Sequence, residues 1–246
     1  MPISFEAGVL LIDKPVGPSS FRMIQWVRRA LQVKKVGHTG TLDPFASGLL
    51  IVCVGRPATR MISHFMNGDK IYEAVLQLGV ETDTQDIEGE IISRRPVGML
   101  SAADVENCLD GLRGEQFQVP PAFSAVKHEG KALYHYARKG VMIKKEPRPI
   151  FIRELRCLSI EADRLVLGVT CSKGTYIRTL ASDIGKQLGC GAHLTALRRL
   201  GNGPFMVDEA VPGAVLEDST KASALLYSNY LTVEQAMARI GEGHDQ

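Results

Sequence analysis

The residues best placed to do chemistry stand in the stretch Gly37-His38-Thr39-Gly40-Thr41-Leu42-Asp43-Pro44-Phe45-Ala46-Ser47-Gly48. Three glycines give its backbone access to positive φ or close approach. Pro44 pushes Asp43 out of the α region into an extended conformation. The chain itself therefore aims the Asp43 carboxylate, at the rim of a bend. A carboxylate held this way, with His38 five residues upstream, can act as a nucleophile or as a general acid or base. A plain Asp-Pro turn with a structural histidine has the same signature.

Two more side chains stand out. Lys70 to Gly79 alternates, with Tyr72, Ala74, Leu76 and Leu78 on the core-side face and Glu73 and Gln77 on the other. A tyrosine there is either part of the core or reaches a partner through its hydroxyl. Thr175 to Leu188 reads as a helix with the stripe Ile177, Leu180, Ala181, Ile184 and Leu188. Arg178 lies off that stripe in the first turn, where a cation opposes the helix dipole. That cost calls for a specific partner, and a carboxylate is the natural one.

The elements that must position these residues form no strict βαβ alternation, which favours an α+β fold with a mixed sheet. Gly8 to Asp13 reads as a buried strand, stopped by Lys14-Pro15-Val16-Gly17-Pro18. Ser19 or Ser20 caps a helix with Ile24, Val27 and Leu31 on its apolar side. Leu49 to Val54 is a second buried strand, and residues 57–66 a short helix. Glu81 to Glu90 is an acidic turn containing Asp86. Ser101 and Asp104 form a capping-box pattern that opens a helix through Leu112. Residues 114–127, with Pro120-Pro121, are expected to be irregular, followed by a helix over 131–139 closed by Gly140. Strands near 150–160 and 164–171 form a hairpin that leads into the bend Ser172-Lys173-Gly174. Leu194, Leu197 and Leu200 stand beside Arg198-Arg199, and residues 214–240 suggest one or two amphipathic helices.

The chain has 246 residues, 45% of them hydrophobic and 23% charged, enough to bury a large core. No apolar run approaches the about 18 residues of a membrane span, and the N-terminus lacks the basic and apolar regions of a signal peptide. Five cysteines without a C-x-x-C pair point to a reducing cytosol, with neither a disulfide framework nor a zinc site. The net charge of +2 hides an asymmetry. Residues 127–156 hold nine Lys/Arg and three acids, a local +6, with Phe123, Tyr134 and Tyr136 within or beside them. Basic residues interleaved with aromatics suit phosphate contacts and base stacking; a solvated helix face with extended lysine stems accounts for the charge equally well.

Six blocks, in this order, resemble the TruB-type tRNA pseudouridine synthases: GVLLIDKPVGPSS (8–20), GHTGTLDPFASGLL (37–50), KIYEAVLQLGVETDTQDIEG (70–89), PPAFSAVKHEGKALYHYARKG (120–140), CSKGTYIRTLASDIG (171–185) and GCGAHLTALRRL (189–200). The likeness covers about residues 8–211. It is closer to the bacterial stand-alone form than to the RNA-guided archaeal and eukaryotic relatives. It implies the pseudouridine synthase fold, a mixed and largely antiparallel sheet with flanking helices. It also implies conversion of uridine 55 in the tRNA T loop to pseudouridine, without metal or organic cofactor, on a base flipped out of folded RNA.

By the same resemblance Asp43 is the catalytic aspartate, Arg178 the arginine paired with it, and Tyr72 the tyrosine that stacks on the base and removes the C5 proton. His38 holds the flipped-out conformation, Lys14 packs beneath the loop, and Leu197 lines the base pocket. Asp86, Lys173 and the insertion at about 117–149, with Lys127 and Lys131, are assigned to RNA contact. The expected division is a catalytic domain over 1–211 and a short helical extension over 212–246, without the PUA domain many members carry. The expected partner is the tRNA T arm, in the cytoplasm, with no guide RNA, protein partner or membrane. A non-catalytic tRNA-binding protein, an RNA-guided rRNA-modifying subunit and a base glycosylase are the competing classes. Only an enzyme needs the combination of Asp43, Tyr72 and Arg178.

Overall fold

A computed structural model describes residues 5–242. The chain divides into two compact units, residues 1–72 with 198–246, and residues 73–197. The fold is α+β, and most of its strand pairs are antiparallel.

The first unit opens with β1 (Gly8–Lys14), α1 (Ser20–Leu31), β2 (Val36–His38), β3 (Ser47–Val54), α2 (Gly55–Arg60), α3 (Ile62–Phe65) and the start of β4 (Lys70–Leu78). β1 and β3 pair antiparallel without a break, from Gly8 opposite Val54 to Lys14 opposite Gly48. Both strands read as continuous apolar runs because both faces are covered. Leu10, Ile12, Leu50 and Val52 pack with Met23, Ile24 and Val27 of α1. Val9, Leu11, Leu49, Ile51 and Cys53 pack on the other side with Ala58, Phe65 and Phe205. Each fully buried aliphatic side chain contributes about 1.5–3 kcal/mol.

The second unit continues with β5 (Val80–Thr82), β6 (Ile91–Arg94), α4 (Ala102–Asp110), β7 (Gly114–Gln118), β8 (Lys127–His128), β9 (Lys131–Ala132), α5 (Leu133–Ala137), β10 (Arg148–Glu161), β11 (Arg164–Cys171), α6 (Ile177–Gln187) and the first part of β12 (Ala192–Asn202). Its strand order is β12–β4–β11–β10–β7. Along β4, Tyr72, Ala74, Leu76 and Leu78 are buried and Glu73 is exposed, as the alternation predicts. The capping box at Ser101 and Asp104 is present with both of its bonds.

The first unit resumes with β13 (Phe205–Met206), β14 (Val211–Pro212), α7 (Ser219–Ser228), β15 (Tyr230–Leu231) and α8 (Val233–Glu242). β14 and β15 both pair with β1, and α7 joins the α1 side of the core through Ala222 and Leu226. The segment after 211 is thus built into the first unit and contributes strands as well as helices.

Three local expectations need correction. Residues 114–118 form a regular edge strand, because β10 supplies five consecutive partners from Ile152 to Arg148 and the prolines begin only after Gln118. The helix expected over 131–139 is limited to 133–137, because Lys131 and Ala132 are drawn into a hairpin with Lys127 and His128. The helix expected over 57–66 is two short helices that meet at Met61.

Candidate active site

In the first unit the loop from Thr39 to Ala46 joins β2 to β3. One edge of β3 is taken by β1 and the other is shared. β2 pairs with Val52 to Val54, and Arg198 and Arg199 of β12 run parallel to Ser47 and Gly48. The loop is therefore held at both ends by strands.

Three side chains fasten its middle. Lys14 is fully buried at the end of β1, and its ammonium donates to the carbonyls of Pro15 (2.9 Å), Pro18 (2.8 Å) and Pro44 (3.3 Å). The amide of Gly17 donates to the Pro44 carbonyl as well, at 2.8 Å. The Ser20 hydroxyl donates to the Leu42 carbonyl (2.9 Å) and accepts from the Leu42 amide (2.8 Å). Arg199, only 3% exposed, donates from Nε to the Leu49 carbonyl (2.7 Å) and from Nη2 to the Gly40 carbonyl (3.2 Å). On the outward side of the same strand Arg198 grips Asp13 with two parallel bonds of 3.0 and 2.7 Å. Asp43 sits half-buried between the residues that Ser20 and Lys14 hold, and its carbonyl accepts from the Ala46 amide at 3.1 Å. Its main chain is positioned by these clamps, which is the preorganisation that catalysis by a single charged group requires.

His38 ends β2, half-buried. Burial, and then the nearby Arg199 guanidinium, hold its pKa below the ordinary value. The ring is neutral at physiological pH. The Gly40 amide donates to Nδ1 at 3.4 Å, which leaves the proton on Nε2.

Gly48 is where the loop enters β3, with φ at +103°. A Cβ there would collide with the backbone of Arg199. Gly48→Ala is expected to destabilise the protein by about 3 kcal/mol or more, combining left-handed strain with the clash. A urea-unfolding midpoint equal to wild type would refute this.

In the second unit Arg178 is buried in the first turn of α6. Nη1 donates to the Thr84 carbonyl (2.9 Å) and lies 3.5 Å from Asp86 Oδ2, and Nη2 donates to the Phe123 carbonyl (2.7 Å). Asp86 is 3% exposed, and its Oδ1 accepts from the Thr84 hydroxyl (2.6 Å) and the Glu88 amide (3.0 Å). One guanidinium thus joins the acidic turn, the start of the insertion and α6. Asp86 belongs to this lock, while Asp83, Glu88 and Glu90 are the exposed acids of the turn. Gln118 braces the same region. Its side chain donates to the Tyr176 carbonyl (3.1 Å) and accepts from the Tyr176 amide (2.7 Å), ahead of α6.

Tyr72 and Leu197 are both buried. Lys127, Lys131 and Lys173 are exposed. In the insertion the Tyr136 hydroxyl donates to the His128 carbonyl (3.2 Å), Lys145 Nζ approaches His128 Nδ1 (3.1 Å), and Arg138 lies over the Tyr134 ring. Among the described residues no group of three or more His, Cys, Asp or Glu is placed to hold a metal ion, and no helix is long and apolar enough to cross a membrane.

Sequence reasoning missed the bracing roles of Ser20, Gln118 and Arg199, whereas Gly48 was one of the three glycines expected to need positive φ or close approach. Arg199 left a trace, since it shares strand parity with the inward-facing Leu197 and a cation at an inward position needs a built partner. Ser20 and Gln118 left none, because their partners are distant main-chain groups.

Residues 28–177 match the family model described as TruB family pseudouridylate synthase (N terminal domain), and residues 178–238 match the tRNA pseudouridylate synthase B C-terminal domain. The chain is 60% identical over 212 residues to the tRNA pseudouridine synthase B of Desulfotalea psychrophila, covering 84% of this chain and 86% of the relative. It is 48% identical over 227 residues to that of Bordetella parapertussis, covering 91% and 93%. Among solved structures, an H/ACA RNP bound to a substrate RNA containing 2'-deoxyuridine superposes with a TM-score of 0.67 at 24% identity, over 94% of this chain. The chain spans only 61% of that protein's length, and the likeness is one of fold.

Proposed function

Because the chain belongs to the TruB family of pseudouridylate synthases, we propose that it isomerises uridine 55 in the T loop of tRNA to pseudouridine, with Asp43 as the catalytic carboxylate. The observation that carries this reading is the Asp43 loop, clamped by Lys14, Ser20 and Arg199. A loop that only turned the chain would not need a buried ammonium and a buried guanidinium bonded to its carbonyls.

The reaction breaks N1–C1′, forms C5–C1′, releases the C5 proton and protonates N1. Asp43 serves it either by attacking C6 of the base or by assisting elimination across C1′–C2′. Both routes use an ionised carboxylate beside the sugar. Tyr72 stacks on the base and takes the C5 proton. Neutral His38, with its proton on Nε2, donates to the RNA in the flipped-out state, and Leu197 lines the base pocket. Arg178 keeps the role the resemblance implies, partner to the catalytic carboxylate, together with its bonds to Thr84 and Phe123. Lys127, Lys131 and Lys173 meet phosphates. Residues 1–211 carry the catalysis, and 212–246 brace β1. The relatives at 48–60% identity are named for tRNA, whereas the RNP matches at 24%. This favours an enzyme that acts on the T arm without guide RNA or protein partner.

The test is tritium release from a T-arm stem-loop labelled at uridine C5. The protein alone is expected to release tritium from the stem-loop, and to release none when cytidine replaces the target uridine. Bound RNA with no release would overturn the enzymatic reading. Tyr72→Phe keeps the ring and loses the hydroxyl, so its release rate is expected to fall about 100-fold or more. A wild-type rate would leave Tyr72 as a stacking platform only.

A further inference from the structure

The edge of the second unit's sheet carries exposed rings that the reaction above leaves unused. Among the described residues β7 is the terminal strand and is paired by β10 alone. Phe117 stands opposite Pro149, and Glu115 opposite Phe151. Gln118, Ile150 and Ile152 are buried, so the alternate residues Phe117, Pro149 and Phe151 share the outward face. Phe117 is 77% exposed and Phe151 37%. They are diagonal neighbours, about 7–8 Å apart at Cα. The Arg153 guanidinium lies 5.3 Å from the Phe151 ring centroid. Phe151 exchanges two bonds with Ser172, at 2.8 and 2.9 Å, which seats the exposed Lys173 at the end of the platform.

Two features say what covers these rings. The rim is cationic, with Arg153 and Lys173 against Glu115. Moreover, β7 and β10 are the two roots of the insertion, which leaves at Val119 and returns at Arg148 carrying Lys127 and Lys131. A phenylalanine three-quarters exposed beside a second ring marks a contact surface. Flat rings and guanidinium planes among cations fit unpaired bases on a polyanion. We propose that Phe117 and Phe151, with Arg153 stacked on the latter, form a stacking platform for unpaired nucleotides of the tRNA substrate at the root of the insertion. This rests on the reading of the chain as a tRNA enzyme.

The experiment measures Kd for an unmodified tRNA transcript over a salt series, with tritium release by the wild type in parallel. Phe117→Ala and Phe151→Ala are each expected to raise Kd about tenfold or more. The slope of log Kd against log salt should stay unchanged, because no phosphate contact is lost. Phe117→Tyr and Phe151→Tyr should bind like wild type, and Lys173→Gln should instead lower the slope by about one. Alanine variants that bind tRNA as tightly as wild type would overturn the platform. So would wild-type self-association that Phe117→Ala abolishes, which would give the surface to a second copy of the chain. Weakened binding in variants of a wild type that releases no tritium keeps the platform and removes the enzymatic reading. Release with unchanged Kd does the reverse.

Discussion

Asp43→Asn is expected to release tritium at least about 10⁴-fold more slowly than wild type while binding the T-arm stem-loop within about threefold of the wild-type Kd. The amide has almost the shape of the carboxylate, and the bond from the Ala46 amide to the residue 43 carbonyl is independent of the side chain. Lys14, Ser20 and Arg199 hold main-chain carbonyls and an amide, so the loop keeps its course. What disappears is the negative charge and its nucleophilicity, which both routes need. Normal turnover would remove Asp43 from the chemistry; loss of binding in parallel would mean that the substitution damaged the loop.

Arg178→Met should produce the largest loss of stability in the second unit. It strips the guanidinium from the Thr84 and Phe123 carbonyls and leaves Asp86 buried without its cation. Breaking one side of such a pair costs about 3–5 kcal/mol, a fall of about 10 °C in melting temperature for a chain of this size. Adding Asp86→Asn should restore part of the loss, because the amide can still accept from Thr84 and Glu88 without a stranded charge. A melting temperature equal to wild type for the single variant would show that Arg178 is not the lock of this region. No gain from the second substitution would place the cost in the two carbonyls.

What could be read in the sequence followed periodicity. β1, β3, β4 and the hairpin of β10 and β11 announce themselves through apolar runs or alternation, and α4 through its capping box. Asp43, Tyr72 and Arg178 stood out by type and place. β12 was only a row of leucines with two arginines, since its pairing with β3 is made by residues about 150 positions away. β7 was hidden by the prolines behind it, because an edge strand needs only one partner and β10 supplies it. The clamps were illegible for a different reason. Ser20, Arg199 and Lys14 act on carbonyls and amides, which every residue carries, so no side-chain pattern marks their targets. Lys14, at a strand end before a proline-rich bend, was singled out by the resemblance alone and is fully buried.

The order in which the polypeptide leaves the ribosome gives one of these clamps a timing. The unit that carries Asp43 is interrupted by residues 73–197. Arg199, which ties Gly40 and Leu49, is therefore synthesised long after the loop it secures. At about 5–20 residues per second, the Asp43 loop waits on the order of ten seconds or more as nascent chain before that guanidinium exists. β14 and β15, the flanking partners of β1, come later still. Residues 73–197 are contiguous and can collapse first. A holdase that shields the apolar β1 and β3 segments during that interval should raise the yield of active protein. The same holdase added after residue 231 has emerged should make no difference.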